Sequence, residues 1–288
     1  MKYTIAEFNK QFPDEVACLD EMFKRRYGHL IKCPKCSKRA AFHRAKNRKV
    51  YACQFCGYQL SPLAGTIFHK SSTPLKLWFH AIFLFSTSKN GVAAKELQRQ
   101  LGVTYKTAWR MAAQIRKLMG QDDEPLAGEV EIDETFYGKG GTHQTKFKNK
   151  HAIIGMVERK GKIKAKQLPN RQAALILPVI KEAVVRGSRV ITDEYRGYDK
   201  LSYSAYGYQH HNVKHGKGHY SWKGQNTNTI EGFWGQLKTS LRGTYHFVSP
   251  QHLQSYIDEF AWRYNNREGI SPAFVALLAR VSQVAQLG

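Results

Sequence analysis

Gly128-Glu129-Val130-Glu131-Ile132-Asp133-Glu134-Thr135-Phe136 is the stretch on which the reading of this chain turns. Val130, Ile132 and Glu134 alternate with Glu131, Asp133 and Thr135, and a period of two predicts a strand with Asp133 inside it. Working downstream, residues 151–157 and 162–167 predict two more strands, hinged at Lys160-Gly161. Residues 172–185 predict a helix that Pro178 must either start or kink, ended by Gly187. Arg189-Val190-Ile191-Thr192-Asp193 predicts a strand running straight into an Asp, residues 209–214 a short basic strand, and Asn228-Thr229-Ile230-Glu231-Gly232-Phe233-Trp234-Gly235-Gln236-Leu237-Lys238 the opening of a helix. Three strands, a helix, a strand ending in Asp, a strand and a helix carrying Glu make an α/β arrangement. Such an order can bring Asp133, Asp193 and Glu231 to one edge of a sheet.

Converging carboxylates are hard oxygen donors that suit Mg²⁺ or Mn²⁺. Two such ions can activate an attacking oxygen and stabilise a leaving one during in-line phosphoryl displacement. Lys238 follows Glu231 by nearly two helical turns and so shares its face, where a cation can hold a phosphate. Asp193 has an acidic neighbour in Glu194, and Asp193 is the preferred candidate. Glu131 and Glu134 read as supporting residues. Trp234 reads as a core residue that can wall the site.

Charge says what the carboxylates would face. The 288-residue chain carries 45 Lys+Arg against 22 Asp+Glu, a net charge of +23. A globular chain this basic usually meets a polyanion. Residues 1–120 hold 22 Lys+Arg against 6 Asp+Glu, whereas 121–288 hold 23 against 16. The break falls at Gln121-Asp122-Asp123-Glu124-Pro125, which reads as a linker. No apolar run approaches the roughly 20 residues of a membrane span, and the N-terminus lacks a signal-peptide pattern. The expectation is a cytoplasmic, nucleoid-associated protein.

Within the basic half, Cys33-Pro34-Lys35-Cys36 and Cys53-Gln54-Phe55-Cys56 are two Cys-x-x-Cys turns with 16 residues between them. Four thiolates so spaced suit a structural zinc ion, and they leave no open position for catalysis. Disulfides or reduced core cysteines are the alternative. Further on, Thr73-Pro74 reads as a cap and first-turn proline ahead of one helix. Residues 93–101 and 105–112, turned at Gly102-Val103 and capped by Thr104, read as a helix-turn-helix. Its second helix would present Tyr105, Lys106 and Arg110 to DNA. Trp109 reads as core.

Together these motifs resemble bacterial insertion-sequence transposases of the DDE type, in the group that joins an N-terminal zinc ribbon and helix-turn-helix to an RNase H-like catalytic domain. The resemblance spans nearly the whole chain. It is carried by the paired Cys-x-x-Cys turns, Glu131-Ile132-Asp133-Glu134-Thr135, Thr192-Asp193-Glu194-Tyr195 and Asn228-Thr229-Ile230-Glu231-Gly232-Phe233-Trp234 with Lys238. It continues through Gly243-Thr244-Tyr245-His246, Glu259-Phe260 and Arg263-Tyr264-Asn265-Asn266-Arg267. It implies that Asp133, Asp193 and Glu231 form the catalytic triad. It also implies binding of double-stranded DNA at terminal inverted repeats, metal-dependent 3′-end cleavage, strand transfer to target DNA and homo-oligomers on DNA. The implied domains are 1–70 (N-terminal extension and zinc ribbon), 71–120 (helix-turn-helix) and 121–288 (catalytic domain with C-terminal helices).

Two rivals remain at this level: a catalytically silent DNA-binding derivative, and an RNase H-like nuclease that cuts without joining. His210, His211, His215 and His219, set among Lys214 and Lys217, read as a solvent- or DNA-facing segment, with a metal site as the alternative. Helices are expected from Ser249-Pro250 and from Ser271-Pro272, their apolar stripes in the core.

Overall fold

The computed structural model describes residues 3–138, 150–213, 227–267 and 272–284, with side chains to 281 in the last segment. The chain divides into two units. One comprises Met1–Ser88, Val92–Leu118 and Gly269–Gly288, the other Lys89–Gly91 and Met119–Glu268.

The first unit begins with α1 (Ile5–Gln11), where Thr4 and Glu7 form a reciprocal capping box. Asp14 caps α2 (Glu15–Tyr27). A three-stranded antiparallel ribbon follows, made of β1 (Phe42–Arg44), β2 (Tyr51–Cys53) and β3 (Gln59–Leu60). Phe23 of α2 stacks on Tyr51 of β2, ring centroids 3.9 Å apart. Three helices come next: α3 (Leu75–Thr87), α4 (Ala94–Leu101) and α5 (Tyr105–Leu118). Gly102 ends α4 at φ +65°, a left-handed conformation that favours glycine. Thr104 Oγ1 accepts the Thr107 N–H at the start of α5. At α3 the cap position is Pro74 rather than Thr73, and it makes no side-chain cap bond. Proline has no N–H and a fixed φ, so it serves as well just outside the first turn as inside it.

The last helix, α9 (Ala273–Val284), departs from the expected division at residue 121. Phe274 lies within aromatic contact of Phe8, Phe12, Phe79 and Phe83, so α9 completes the core of the first unit. A helix's apolar stripe fixes that it must be buried, not against which partner. The Ser271 expected to start it lies outside the described residues.

The second unit is a mixed α/β layer structure. Its sheet contains β4 (Glu129–Gly138), β5 (Lys150–Glu158), β6 (Ile163–Leu168), β7 (Arg189–Thr192) and β8 (Gln209–Asn212), in the order β6-β5-β4-β7-β8. The β4–β5 and β5–β6 pairs are antiparallel, while β4–β7 and β7–β8 are parallel. Alternation along β5 feeds two cores. Ala152, Ile154 and Met156 pack with Ile176 and Ile180 of α6 (Ala173–Ala183). Ile153 and Val157 pack with Ile230, Phe233 and Trp234 of α7 (Asn228–Gly243) and Ile257 and Phe260 of α8 (Pro250–Asn265). Pro178 lies inside α6 instead of starting it.

The free edge of β6 is closed by side-chain amides. Gln121 both donates to Ala165 O and accepts from Ala165 N, and Asn265 does the same at Ile163. Gln254 accepts the Gln167 N–H. An edge so occupied cannot recruit a further strand. Among the described residues, no helix is long and apolar enough to cross a membrane.

Candidate functional site

Two groups of ligand-type side chains stand out, one in each unit. The first is Cys33, Cys36, Cys53 and Cys56, whose sulfur atoms all lie within 4.8 Å of one another. The two turns are built alike. Cys33 N donates to Lys38 O, and Ser37 N donates to Cys33 O; Cys53 N donates to Tyr58 O, and Gly57 N donates to Cys53 O. Ser37 and Gly57 both take positive φ, +57° and +70°. The backbone thus closes each turn and aims two sulfurs inward. The Cys33–Cys56 and Cys36–Cys53 sulfurs are 3.7 and 3.9 Å apart. Zn–S bonds of ~2.3 Å in a tetrahedron imply S···S of ~3.8 Å. All four thiols are free rather than disulfide-bonded. This is a four-cysteine cluster suited to structural zinc, formed inside one local ribbon.

The second group is assembled from distant parts of the chain. β4 and β7 run parallel with Glu131 level with Ile191. Two residues further along each chain segment come Asp133 and Asp193. Asp193, just past β7, accepts the Tyr195 N–H at 3.0 Å. On β5, Gly155 pairs with Asp133. A Cβ there would lie 2.6 Å from the Trp234 ring, so the glycine admits that ring against the sheet. Trp234 Nε1 then donates to Asp133 Oδ2 at 3.0 Å. Glu231 sits in the first turn of α7 and accepts the Thr227 hydroxyl at 2.9 Å.

The electrostatics register this convergence. Burial pushes the Asp133 carboxyl up to about 6, and the negative charges of Asp193 and Glu231 add to the effect. A fourth carboxylate belongs to the cluster. Burial pushes Glu134 up to about 7, helped by Asp193 and Asp133 and opposed by the Tyr198 hydroxyl and Arg171. Arg171 Nη1 is 3.6 Å from Glu134 Oε1, and the same guanidinium lies over Tyr195 at 4.4 Å. Lys238 is lowered by burial and by Arg242 and Lys150, while Asp133 pulls it the other way. It therefore lies within electrostatic reach of Asp133, in company with two further cations. The oxygens of Asp133, Asp193 and Glu231 do not form so tight a group. Among the described residues, the four cysteines are the group of three or more ligand-type side chains placed to hold one metal ion.

Beside α7 is a cleft of about 420 Å³ whose lining includes Asn228, Gly232, Lys89, Arg263 and Arg267. Arg263 pairs with buried Glu259 at 2.6 Å, and Arg267 stacks on Tyr264 at 3.8 Å.

On α5, Tyr105 and Trp109 are 46% and 43% exposed, one turn apart, with Lys106 and Arg110 also exposed. Trp109 is thus a surface residue and not the core residue expected. The stripe Ala108, Met111, Ala112 and Ile115 fills the buried face of α5 and leaves Trp109 on the other side. Its size and apolarity masked its position in the helical period. Arg110 lies over the Trp78 ring at 5.6 Å, and Lys95 over Tyr105 at 5.1 Å.

Of the histidines, His210 on β8 is half-buried against β7. Its ring nitrogens meet Thr192 Oγ1 at 2.9 Å and Ser202 Oγ at 3.0 Å, and burial lowers its pKa. It ties β8 to β7 and to Ser202, so at this position the segment expected to face solvent or DNA is partly turned inward. His215, His219, Lys214 and Lys217 lie outside the described residues.

Comparison with known proteins identifies the family of the chain. Residues 125–265 match the profile of the ISXO2-like transposase domain, and residues 13–59 match the transposase zinc-ribbon domain. An uncharacterized transposase-like protein of Haemophilus influenzae is 35% identical over 101 residues, covering 35% of this chain and 79% of that protein. An uncharacterized protein in the transposable element ISH50 of Halobacterium salinarum is 24% identical over 276 residues, covering 88% of this chain and 92% of the other. The chain therefore belongs to the ISXO2-like transposase family, with a transposase zinc ribbon preceding its transposase domain.

Proposed function

We propose that this protein is a DDE transposase that binds the terminal inverted repeats of an insertion sequence, cuts at the element's 3′ ends and joins those ends to target DNA. The observation that carries the reading is that Asp133 on β4 feels the charges of Asp193, just past β7, and of Glu231 in the first turn of α7, so three carboxylates from distant parts of the chain meet. The strand order β6-β5-β4-β7-β8, three strands antiparallel and then two parallel, supports an RNase H-like catalytic unit. The α4–α5 pair turned at Gly102 supports a helix-turn-helix.

The carboxylates fit hard divalent cations. Their donors are all oxygen, and at Asp133 burial and the neighbouring carboxylates disfavour the charged form, which a bound cation would offset. Asp133, Asp193 and Glu231 would hold two Mg²⁺ or Mn²⁺ ions, whose bound charge activates the attacking oxygen and stabilises the leaving one. The chain's own residues do the rest. Trp234 orients the Asp133 carboxylate through a hydrogen bond to Oδ2, and the Glu134 backbone N–H gives it a second. Lys238, with Arg242 and Lys150 near it, holds the scissile strand's phosphate. In the first step a water oxygen bonds to phosphorus and the bond to the 3′ oxygen breaks, which leaves a 3′-OH on the element. In the second, that 3′-OH attacks a target phosphodiester and the target's own 3′ oxygen departs. Both steps depend on positioning and charge stabilisation.

The zinc ribbon and the exposed face of α5, with Tyr105, Lys106, Trp109 and Arg110, grip double-stranded DNA. Because two ends must be joined together, the active form is a homo-oligomer on DNA. The test is a Mg²⁺-dependent assay on DNA carrying the element's ends, run with intact and with pre-cut substrate. The reading requires cleavage and joining by the wild type and neither by Asp193→Asn. Cleavage without joining would make the protein a nuclease, and binding without cleavage a silent derivative.

A further inference from the structure

We propose that Glu131 is a positioning residue: its buried carboxylate on β4 caps the N-terminus of α7 and thereby sets Glu231 beside Asp133. The inference rests on the transposase reading of the triad.

Glu131 is fully buried. Its Oε2 accepts the backbone N–H groups of Thr229 at 2.9 Å and Ile230 at 3.1 Å. Its Oε1 accepts the Thr229 hydroxyl at 2.8 Å and Arg159 Nε at 3.1 Å. A helix begins with N–H groups that lack partners inside the helix. At most N-termini the preceding Ser, Thr, Asp or Asn supplies an acceptor. At α7 the preceding residue, Thr227, makes no such bond, and its hydroxyl turns instead to Glu231 Oε1. The cap comes from a strand nearly a hundred residues earlier in the chain. The two capped N–H groups belong to the residues just before Glu231, so the cap fixes the backbone from which the third carboxylate projects.

The clamp extends further. Arg159, which neutralises Glu131, also reaches Glu129 at 3.3 Å, and Glu129 holds Arg189 at 2.6 Å. Arg189 begins β7, the strand that ends next to Asp193. Charged side chains on β4, after β5 and on β7 thus join with the α7 backbone. They link all three elements that carry the triad. The negative charge of Glu131 also suits the positive end of the α7 dipole. A carboxylate is needed because four donors converge on two oxygens. Glutamine would turn an NH₂ group toward donors, and aspartate would fall one methylene short.

The test is Mn²⁺ binding by the zinc-loaded, full-length protein, followed through the EPR signal of free Mn²⁺ well below the melting temperature. The proteins compared are wild type, Glu131→Gln, Thr229→Val and, as a marker of triad-bound ion, Asp193→Asn. Loss of a residue that orients a ligand costs about 10- to 100-fold in metal affinity. Glu131→Gln should weaken Mn²⁺ binding by about that factor, and Thr229→Val, which deletes one of the four donors, by a smaller factor in the same direction. A purely structural Glu131 would lower the melting temperature and leave the Mn²⁺ affinity of the folded protein unchanged, which overturns the inference. If Glu131→Gln does not fold, Thr229→Val decides: unchanged affinity there also overturns it. Wild-type binding no tighter than that of Asp193→Asn defeats the metal-site reading itself, and the inference falls with it.

Discussion

The cysteine cluster and the carboxylate cluster solve one problem by opposite routes. Each must hold like-charged ligands together. The cysteines do it locally: two matching turns, each closed by its own backbone bonds, place four sulfurs within 4.8 Å. The carboxylates come from residues 133, 193 and 231 and depend on the register of two parallel strands and on a helix docked by a buried glutamate. A local site fails by losing its metal; a dispersed one fails also by losing the packing that aligns it.

The largest effect should follow from removing zinc. Structural zinc is worth roughly 10–16 kcal/mol in small zinc domains. Cys33→Ser or a strong chelator should therefore unfold the ribbon, seen as lost zinc stoichiometry and as proteolytic cleavage within residues 32–60. The sheet of the second unit should keep its hydrogen-exchange protection. A global loss of structure would break the claimed independence of the two sites.

Next comes Asp133→Asn or Asp193→Asn, which should lower DNA cleavage and joining by about 1,000-fold or more, since removal of key catalytic groups costs factors of this order or greater. Circular dichroism and end-DNA binding should stay near wild type.

A smaller effect appears without divalent ions. Asp133 titrates near 6 in the folded chain against an ordinary 3.8. Its raised value means that the folded state favours the protonated acid. That contribution is fully present below about pH 4 and is lost as pH rises to about 6. At pH 7 the metal-free Asp133→Asn protein should therefore be more stable than wild type, by up to about 3 kcal/mol from a shift of about two pKa units. Denaturant titration across pH 4–7 reads it out, and Mn²⁺ should reverse the order. The zinc-bound cysteines trend the opposite way, since protons compete with zinc for the thiolates, so the comparison is made between Asp133→Asn and wild type at each pH.

The smallest effect belongs to the α5 surface. Lys106→Ala should weaken end-DNA binding uniformly across sequences and reduce the salt-dependence slope by about 1. Trp109→Ala should weaken it without changing that slope.

The zinc turns were legible because their chemistry and spacing lie within one short stretch. The strand holding Asp133 and the one leading into Asp193 were legible from alternation and from the apolar run of Val190-Ile191 ahead of an acid. The partner of α9 was not, since an apolar helix face fits either unit and Phe274 found its place among distant phenylalanines. The exposure of Trp109 follows from its place opposite the Ala108, Met111, Ala112 and Ile115 stripe, a period that its large apolar ring conceals. Glu131 could be seen to flank Asp133, but its capping bonds join residues 98 and 99 positions apart, which no local pattern records.

The most direct test of the central claim is anomalous diffraction from crystals of the zinc-loaded protein grown with Mn²⁺ and end DNA. The account predicts two Mn²⁺ peaks ligated by Asp133, Asp193 and Glu231, and a zinc peak among the four cysteines. Manganese bound elsewhere, with the three carboxylates unligated, would contradict it.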